Sequence, residues 1–125
     1  MVAHMLLYGA SAIVSAWGLA HLVPTGAVVQ GFGRISIDNR RVLTMEWVAE
    51  AMTMLFVGAL VAGVTIVNGG GGPVALLVYR LAAGMLAAIA VLTAVTGART
   101  PVVWFKACPV VMAVCIALIL VGSSL

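Results

Sequence analysis

The sequence predicts an all-α membrane protein, a four-helix transmembrane bundle with an interfacial or re-entrant segment between helices 1 and 2. Two observations predict this fold class. First, 65% of the 125 residues are apolar and only 7% are charged, whereas soluble domains contain roughly 45–50% apolar and about 25% charged residues. Second, the apolar residues fall into four stretches, each close to the ~20 residues needed to cross a bilayer. A soluble domain and a disordered chain are thereby excluded.

The four stretches predict a single transmembrane domain over residues 1–125. The expected spans are about 3–23, 42–67, 73–97 and 100–122. The first ends before Pro24, and the second stops at the four glycines Gly69 to Gly72. The third and fourth begin with Pro73 and Pro101, residues suited to a first helical turn.

Only one connection is long. Residues 24–41 are half apolar and punctuated by glycine, and the stretch is too short to span. An interfacial or re-entrant segment therefore fits better than a free loop.

The few charges predict an orientation. The net charge is +3, and the loop arginines are Arg34, Arg40, Arg41 and Arg99. The positive-inside rule places these Arg-bearing loops in the cytoplasm and both termini on the extracytoplasmic side. No basic cluster carries interleaved aromatics, so we expect the lipid bilayer, and no nucleic acid, as a partner.

Charged side chains inside a span are functional candidates because they are costly there. Glu46 and Glu50 are four residues apart and share one helical face. His21 ends the first span in the same half of the bundle. We expect Glu50 to act as general acid or base, with Glu46 holding it near neutrality and His21 relaying protons. Two plainer alternatives stay open: Glu46 reaches interfacial water, and Glu50 forms a structural ion pair with Lys106.

A polar stripe runs along the first span at spacings of four and three residues. It contains His4, Tyr8, Ser11, Ser15 and Gly18, with His21 at its edge. Small residues on one face usually indicate close helix packing. The functional alternative is a cavity wall facing the carboxylates, and the predicted ligand-binding residues are then Tyr8, Ser11, Ser15, Thr53, Trp104 and Lys106.

The cysteines and histidines give no metal or cofactor signal. Cys108 and Cys115 are seven residues apart, about 10 Å along a helix and too far for a disulfide, so we interpret both as small apolar residues. His21, Glu46 and Glu50 are loosely spaced compared with a compact metal motif. We expect neither a metal ion nor a haem.

Three segments resemble the DoxX-like group of small four-helix membrane proteins. They are Gly18-Leu19-Ala20-His21-Leu22-Val23-Pro24, the Glu50-bearing run from Val48 to Gly58, and the start of the third apolar stretch from Tyr79 to Leu86. The resemblance implies a four-helix bundle in which His21 and Glu50 match the group's motif positions. It also implies kinship with proteins that include redox-associated membrane subunits.

These observations give three functional hypotheses. The first is a cavity that binds a lipophilic small molecule and acts on it by acid–base chemistry, such as isomerisation, cyclisation or hydration. The second is a small oligomeric, proton-coupled transporter or channel. The third is an accessory subunit of a larger membrane redox complex. Because small-residue faces are abundant and soluble mass is scarce, we expect a homo-oligomer.

Overall fold

The structure, a computed structural model, describes residues 1–125 as helices joined by short connections and contains no strand. The helices are α1 (Val2–Leu22), α2 (Thr25–Gln30), α3 (Ile37–Asn68), α4 (Pro73–Val95) and α5 (Val103–Gly122), with one 3-10 turn at Gly97–Arg99. The predicted all-α four-helix bundle is confirmed.

Four of the helices, α1, α3, α4 and α5, are long and apolar enough to cross a membrane. Only 24 of the 125 residues are buried, and large apolar side chains such as Phe56, Leu81 and Val110 are exposed. A water-soluble protein does not expose apolar surface on this scale. The outer surface therefore suits lipid, and the chain is a multi-pass integral membrane protein by these criteria.

Two helix starts differ from the expected spans. Helix α3 begins at Ile37, five residues before the expected start, because the Ser36 hydroxyl caps it by accepting from the Asn39 amide at 3.1 Å. At 32 residues it is about 48 Å long, longer than the hydrocarbon core. Helix α5 begins at Val103 instead of residue 100, since the Thr100 hydroxyl donates to the Gly97 carbonyl of the preceding turn.

Helices α1 and α3 are in close contact through small residues. The Ser11 hydroxyl donates to the Gly58 carbonyl at 2.7 Å. A Cβ on Gly58 would overlap the Ser15 hydroxyl and lie 3.0 Å from the Ser11 carbonyl oxygen. A Cβ on Gly18 would likewise lie 3.0 Å from the Ala51 carbonyl oxygen. Three residues of the polar stripe, Ser11, Ser15 and Gly18, thus pack against α3, whereas Tyr8 is exposed.

Hydrogen bonds also join α3 to α4, and the glycine turn after α3 to α1, at the end of the bundle far from His21. The Thr65 hydroxyl donates to the Val61 carbonyl, so the buried Tyr79 hydroxyl, 2.8 Å away, donates to Thr65. In the glycine turn, Gly69 adopts the left-handed conformation that ends α3. His4 Nε2 donates to the Gly69 carbonyl at 2.6 Å and ties this turn to α1.

The segment between α1 and α3 folds back over the other end of the bundle. Pro24 ends the first span, and the Thr25 hydroxyl donates to the Leu22 carbonyl at 2.7 Å. Helix α2 then buries Val29 while its other residues stay partly or fully exposed. This short helix covers the end of the bundle that contains His21, as expected for an interfacial segment.

Candidate functional site

Three side chains with different chemistry meet between three helices. They are His21 in the last turn of α1, Glu50 in α3 and Cys108 in α5. One ring nitrogen, one carboxylate oxygen and the sulfur all lie within 4.8 Å of one another. His21 and Cys108 are buried and Glu50 is half-buried. The structure therefore brings together the two predicted residues His21 and Glu50 and adds a thiol.

The imidazole of His21 is fixed by a hydrogen bond to the backbone of Trp17 and by stacking on Trp47. Its Nδ1–H donates to the Trp17 carbonyl at 3.1 Å, since a carbonyl oxygen can only accept. The ring stacks on Trp47, with centroids 4.9 Å apart and an interplanar angle of 25°. The Trp47 indole N–H donates to the His21 carbonyl at 2.6 Å. With Nδ1 protonated, Nε2 carries the free lone pair of the neutral ring.

No cationic side chain of the chain pairs with Glu50. The chain's only ion pair joins Arg41 and Asp38 on the surface. Lys106 is exposed and makes no ion pair, so the alternative in which Glu50 pairs structurally with Lys106 is wrong. An unpaired ionised carboxylate at membrane depth is costly. Glu50 is therefore a half-buried carboxyl group with no lysine or arginine of the chain as its partner.

Cys108 is the site residue that our interpretation of the sequence missed. Its thiol donates weakly to the Thr93 hydroxyl at 3.9 Å, and the Trp17 indole N–H lies near it. That indole N–H is buried and makes no hydrogen bond. Cys115 is also a free, buried cysteine, but it lies outside the cluster. The only sequence signal was the position of Cys108 directly before the proline inside α5.

The larger of the two main cavities is aromatic and has a volume of about 770 Å³. Its lining includes all three tryptophans of the chain, Trp17, Trp47 and Trp104, together with Phe32 and Phe105. Helix α2 forms one wall and the start of α5 another. Phe32 and Trp104 are 56% and 70% exposed, so the cavity opens to the outside between these two helices.

A second cavity, of about 430 Å³, adjoins the first and shares part of its lining. Its polar lining residues are His21, Glu46, Glu50, Thr93, Thr96, Thr100 and Cys108. His21, Trp47 and Phe105 line both cavities, so they form part of the wall between them. Glu50 lines only the second cavity. His21 is thus the one member of the three-residue cluster that faces the aromatic space as well.

The remaining predicted site residues are distributed unevenly. Trp104 lines the aromatic cavity, and Glu46 lines the second cavity although it is exposed. Five others line neither of the two: Tyr8, Ser11, Ser15, Thr53 and Lys106. Ser11 and Ser15 are used in packing, as described above, and the Thr53 hydroxyl donates to the Ala49 carbonyl of its own helix.

The fold and the site together define a class: a four-helix membrane bundle with a mixed imidazole, carboxylate and thiol centre at one end. Comparison with known proteins adds no family to this description, since no family model, curated protein or solved structure matches the chain. The resemblance to DoxX-like proteins therefore stays a prediction.

Proposed function

We propose that this protein binds a lipophilic small molecule in the aromatic cavity and exchanges protons with it. The observation that carries the proposal is the position of His21, which lines both the aromatic cavity and the cavity that contains Glu50. In this scheme His21 contacts the ligand, and Glu50 acts behind it as the proton store.

The aromatic cavity supports the binding half of the proposal. A volume of about 770 Å³ lies within the ~300–1,000 Å³ of typical small-molecule sites. Its lining is mostly apolar, and Thr100 and His21 are among its few polar residues. Such a site favours a ligand with a large apolar body and one polar group, which His21 can orient.

The geometry of the cluster supports the proton-exchange half. In this scheme the lone pair on Nε2 of His21 accepts a proton from the ligand, and the carboxyl group of Glu50 returns one. One ring nitrogen of His21 and one carboxylate oxygen of Glu50 lie within 4.8 Å of each other, a gap that one water molecule or a small side-chain movement closes. Removing a proton at one position and returning one at another is the chemistry of isomerisation, and cyclisation or hydration uses the same two groups.

The position of Glu50 favours this scheme over the transporter alternative. A channel formed by several copies of the chain needs Glu50 on an outer face that meets a neighbouring copy. Glu50 is instead half-buried, beside His21 and Cys108 of the same chain, and borders a cavity lined by residues of that chain. We also propose that the Arg-bearing loops are cytoplasmic, which places the site in the cytoplasmic half of the bilayer, and that the chain forms a homo-oligomer.

Native mass spectrometry of protein ejected from membranes tests the binding half. We expect an apolar molecule to remain bound to the wild type, and Ala27→Phe to displace it by filling the aromatic cavity. Ala12→Phe is the matched control, because Ala12 is exposed on α1 and lines neither cavity. Retention of the same molecule by Ala27→Phe would contradict the assignment of the cavity.

Deuterium exchange tests the proton-exchange half. After incubation in D₂O, the protein is denatured to release the molecule and only then is the molecule transferred to H₂O; from the wild type it should keep deuterium at carbon. Glu50→Gln and His21→Gln should retain the molecule without this mass increase. If the wild type binds the molecule but incorporates no deuterium, the acid–base role is refuted and the protein is a carrier or binding protein.

A further inference from the structure

We propose that His21, Glu50 and Cys108 form a binding site for one thiophilic divalent cation of the zinc class. This inference goes beyond the proposed function and stands without it, since it needs only the three side chains. The pattern of the sequence does not predict such a site, because Cys108 lies in an apolar run.

The donor set is the first argument. An imidazole nitrogen, a thiolate and a carboxylate are the three ligand types that Zn²⁺ takes in proteins. In a tetrahedral site these ligand atoms are about 3.5 Å apart, whereas here they lie within 4.8 Å. Side-chain movements of about 1 Å would close the site around an ion. The three ligands come from three helices, so an ion there would link α1, α3 and α5.

The orientation of the ligands is the second argument. Histidine ligands usually donate their other ring N–H to a backbone carbonyl or carboxylate, which fixes the ring and the tautomer. His21 does this with the Trp17 carbonyl and presents Nε2. The buried Trp17 indole N–H lies near Cys108 and has no hydrogen-bond partner. A metal-bound thiolate would give that donor an acceptor.

Charge is the third argument. A divalent cation with one thiolate, one carboxylate and one neutral imidazole has zero net charge. A neutral cluster suits a membrane interior, where an isolated charge is costly. No lysine or arginine side chain forms an ion pair with Glu50, so an external cation can fill that role without displacing one from the chain.

The second cavity supplies an open coordination position. It is lined by all three ligands and also by Glu46, Thr93 and Thr96. Three protein ligands plus a solvent-facing fourth position is the arrangement of reactive zinc sites, while structural sites are closed by four protein ligands. The ion and the proton would compete for His21 and Glu50, so the metal-loaded chain should not exchange protons with a ligand.

Cobalt substitution tests the site in purified protein reconstituted into lipid nanodiscs. We expect one Co²⁺ per chain, with the near-ultraviolet absorption of a cobalt–thiolate bond. Cys108→Ser should abolish this band and weaken binding at least tenfold, and Glu50→Gln should weaken binding to a similar degree. Cys115→Ser is the matched control, because Cys115 is equally buried in the same helix but lies outside the cluster; it should behave as the wild type.

A second readout does not depend on whether Cys108→Ser folds. In Cys115→Ser, Cys108 is the only cysteine, and Zn²⁺ should protect it from alkylation by N-ethylmaleimide at least tenfold. The absence of the thiolate band together with the absence of protection would overturn the proposal. Both measurements are made without a lipophilic ligand. A negative result for the metal site therefore does not affect the deuterium-exchange test of the proposed function, and a negative exchange result does not affect the test of the metal site.

Discussion

Replacing Gly58 with alanine should weaken the packing of α1 against α3 and lower the free energy of unfolding. The new Cβ would overlap the Ser15 hydroxyl and approach the Ser11 carbonyl oxygen to 3.0 Å and Val14 Cγ1 to 3.2 Å. The Ser15 side chain can rotate away, but the Ser11 carbonyl belongs to the backbone of α1. The helices must therefore move apart by a few tenths of an ångström, which also lengthens the 2.7 Å bond from Ser11 to the Gly58 carbonyl.

Overpacking of this kind costs about 1–3 kcal/mol. Helix propensity does not offset this cost, because spanning helices remain helical when the bundle dissociates in sodium dodecyl sulfate. Gly63→Ala is the matched control, since Gly63 lies in the same helix and a Cβ there meets nothing within 4 Å. We expect its free energy of unfolding to stay within about 0.5 kcal/mol of the wild type.

The assay is a sodium dodecyl sulfate titration of the protein in mixed micelles, followed by tryptophan fluorescence. Trp17 on α1 and Trp47 on α3 report the separation of the two helices. Adding Ser15→Ala to Gly58→Ala should recover part of the loss, because it removes the overlapping hydroxyl and leaves the backbone contact. Equal midpoints for Gly58→Ala and Gly63→Ala would refute the close crossing of α1 and α3.

Three other expected outcomes test the polar contacts. Tyr79→Phe should lower the free energy of unfolding by about 0.6 kcal/mol, the average for a hydrogen bond between membrane helices. Thr65→Val should lower it by about 1–3 kcal/mol, because it leaves the buried Tyr79 hydroxyl without its partner. A larger loss for Tyr79→Phe than for Thr65→Val in the same titration would contradict this hydrogen-bond network. Ser36→Ala should destabilise the first turn of α3 by about 1 kcal/mol, and hydrogen exchange should show faster exchange of the amides in that turn but not in the middle of the helix. Nitrogen-15 NMR of a variant lacking the other histidine should show the neutral His21 ring with its proton on Nδ1; a proton on Nε2 would rule out the bond to the Trp17 carbonyl.

The fold was predictable because one physical quantity, the length of the apolar runs, determines how often a chain can cross a bilayer. The helix ends were less predictable, since they depend on local hydrogen bonds. Ser36 extends α3 beyond the apolar run, and Thr100 bonds to the turn before it rather than capping α5. Hydropathy contains no information on either bond.

The site was predictable in part. The cost of burying charge singled out Glu50, and the end of the first span singled out His21. Cys108 was missed because a cysteine within an apolar run has the same hydropathy signature as its neighbours. Its proximity to His21 depends on the rotation of α5 about its own axis relative to α1, which only tertiary packing determines. The same limitation left the Ser11 and Ser15 stripe open between packing and a cavity wall.

The opening of the aromatic cavity between α2 and α5 determines how a ligand reaches it. The exposed walls are Phe32, in the connection between α1 and α3, and Trp104, in the first turn of α5, and we expect these helix ends to lie at the bilayer surface. Under the proposed function, a lipophilic ligand would enter there from a membrane in which it is already concentrated. With a partition coefficient of about 1,000, a Kd of about 1 mM for ligand dissolved in the lipid corresponds to about 1 μM free ligand in water. Occupancy then depends on the mole fraction of the ligand in the lipid, and affinities for this protein are comparable only at a stated lipid-to-protein ratio.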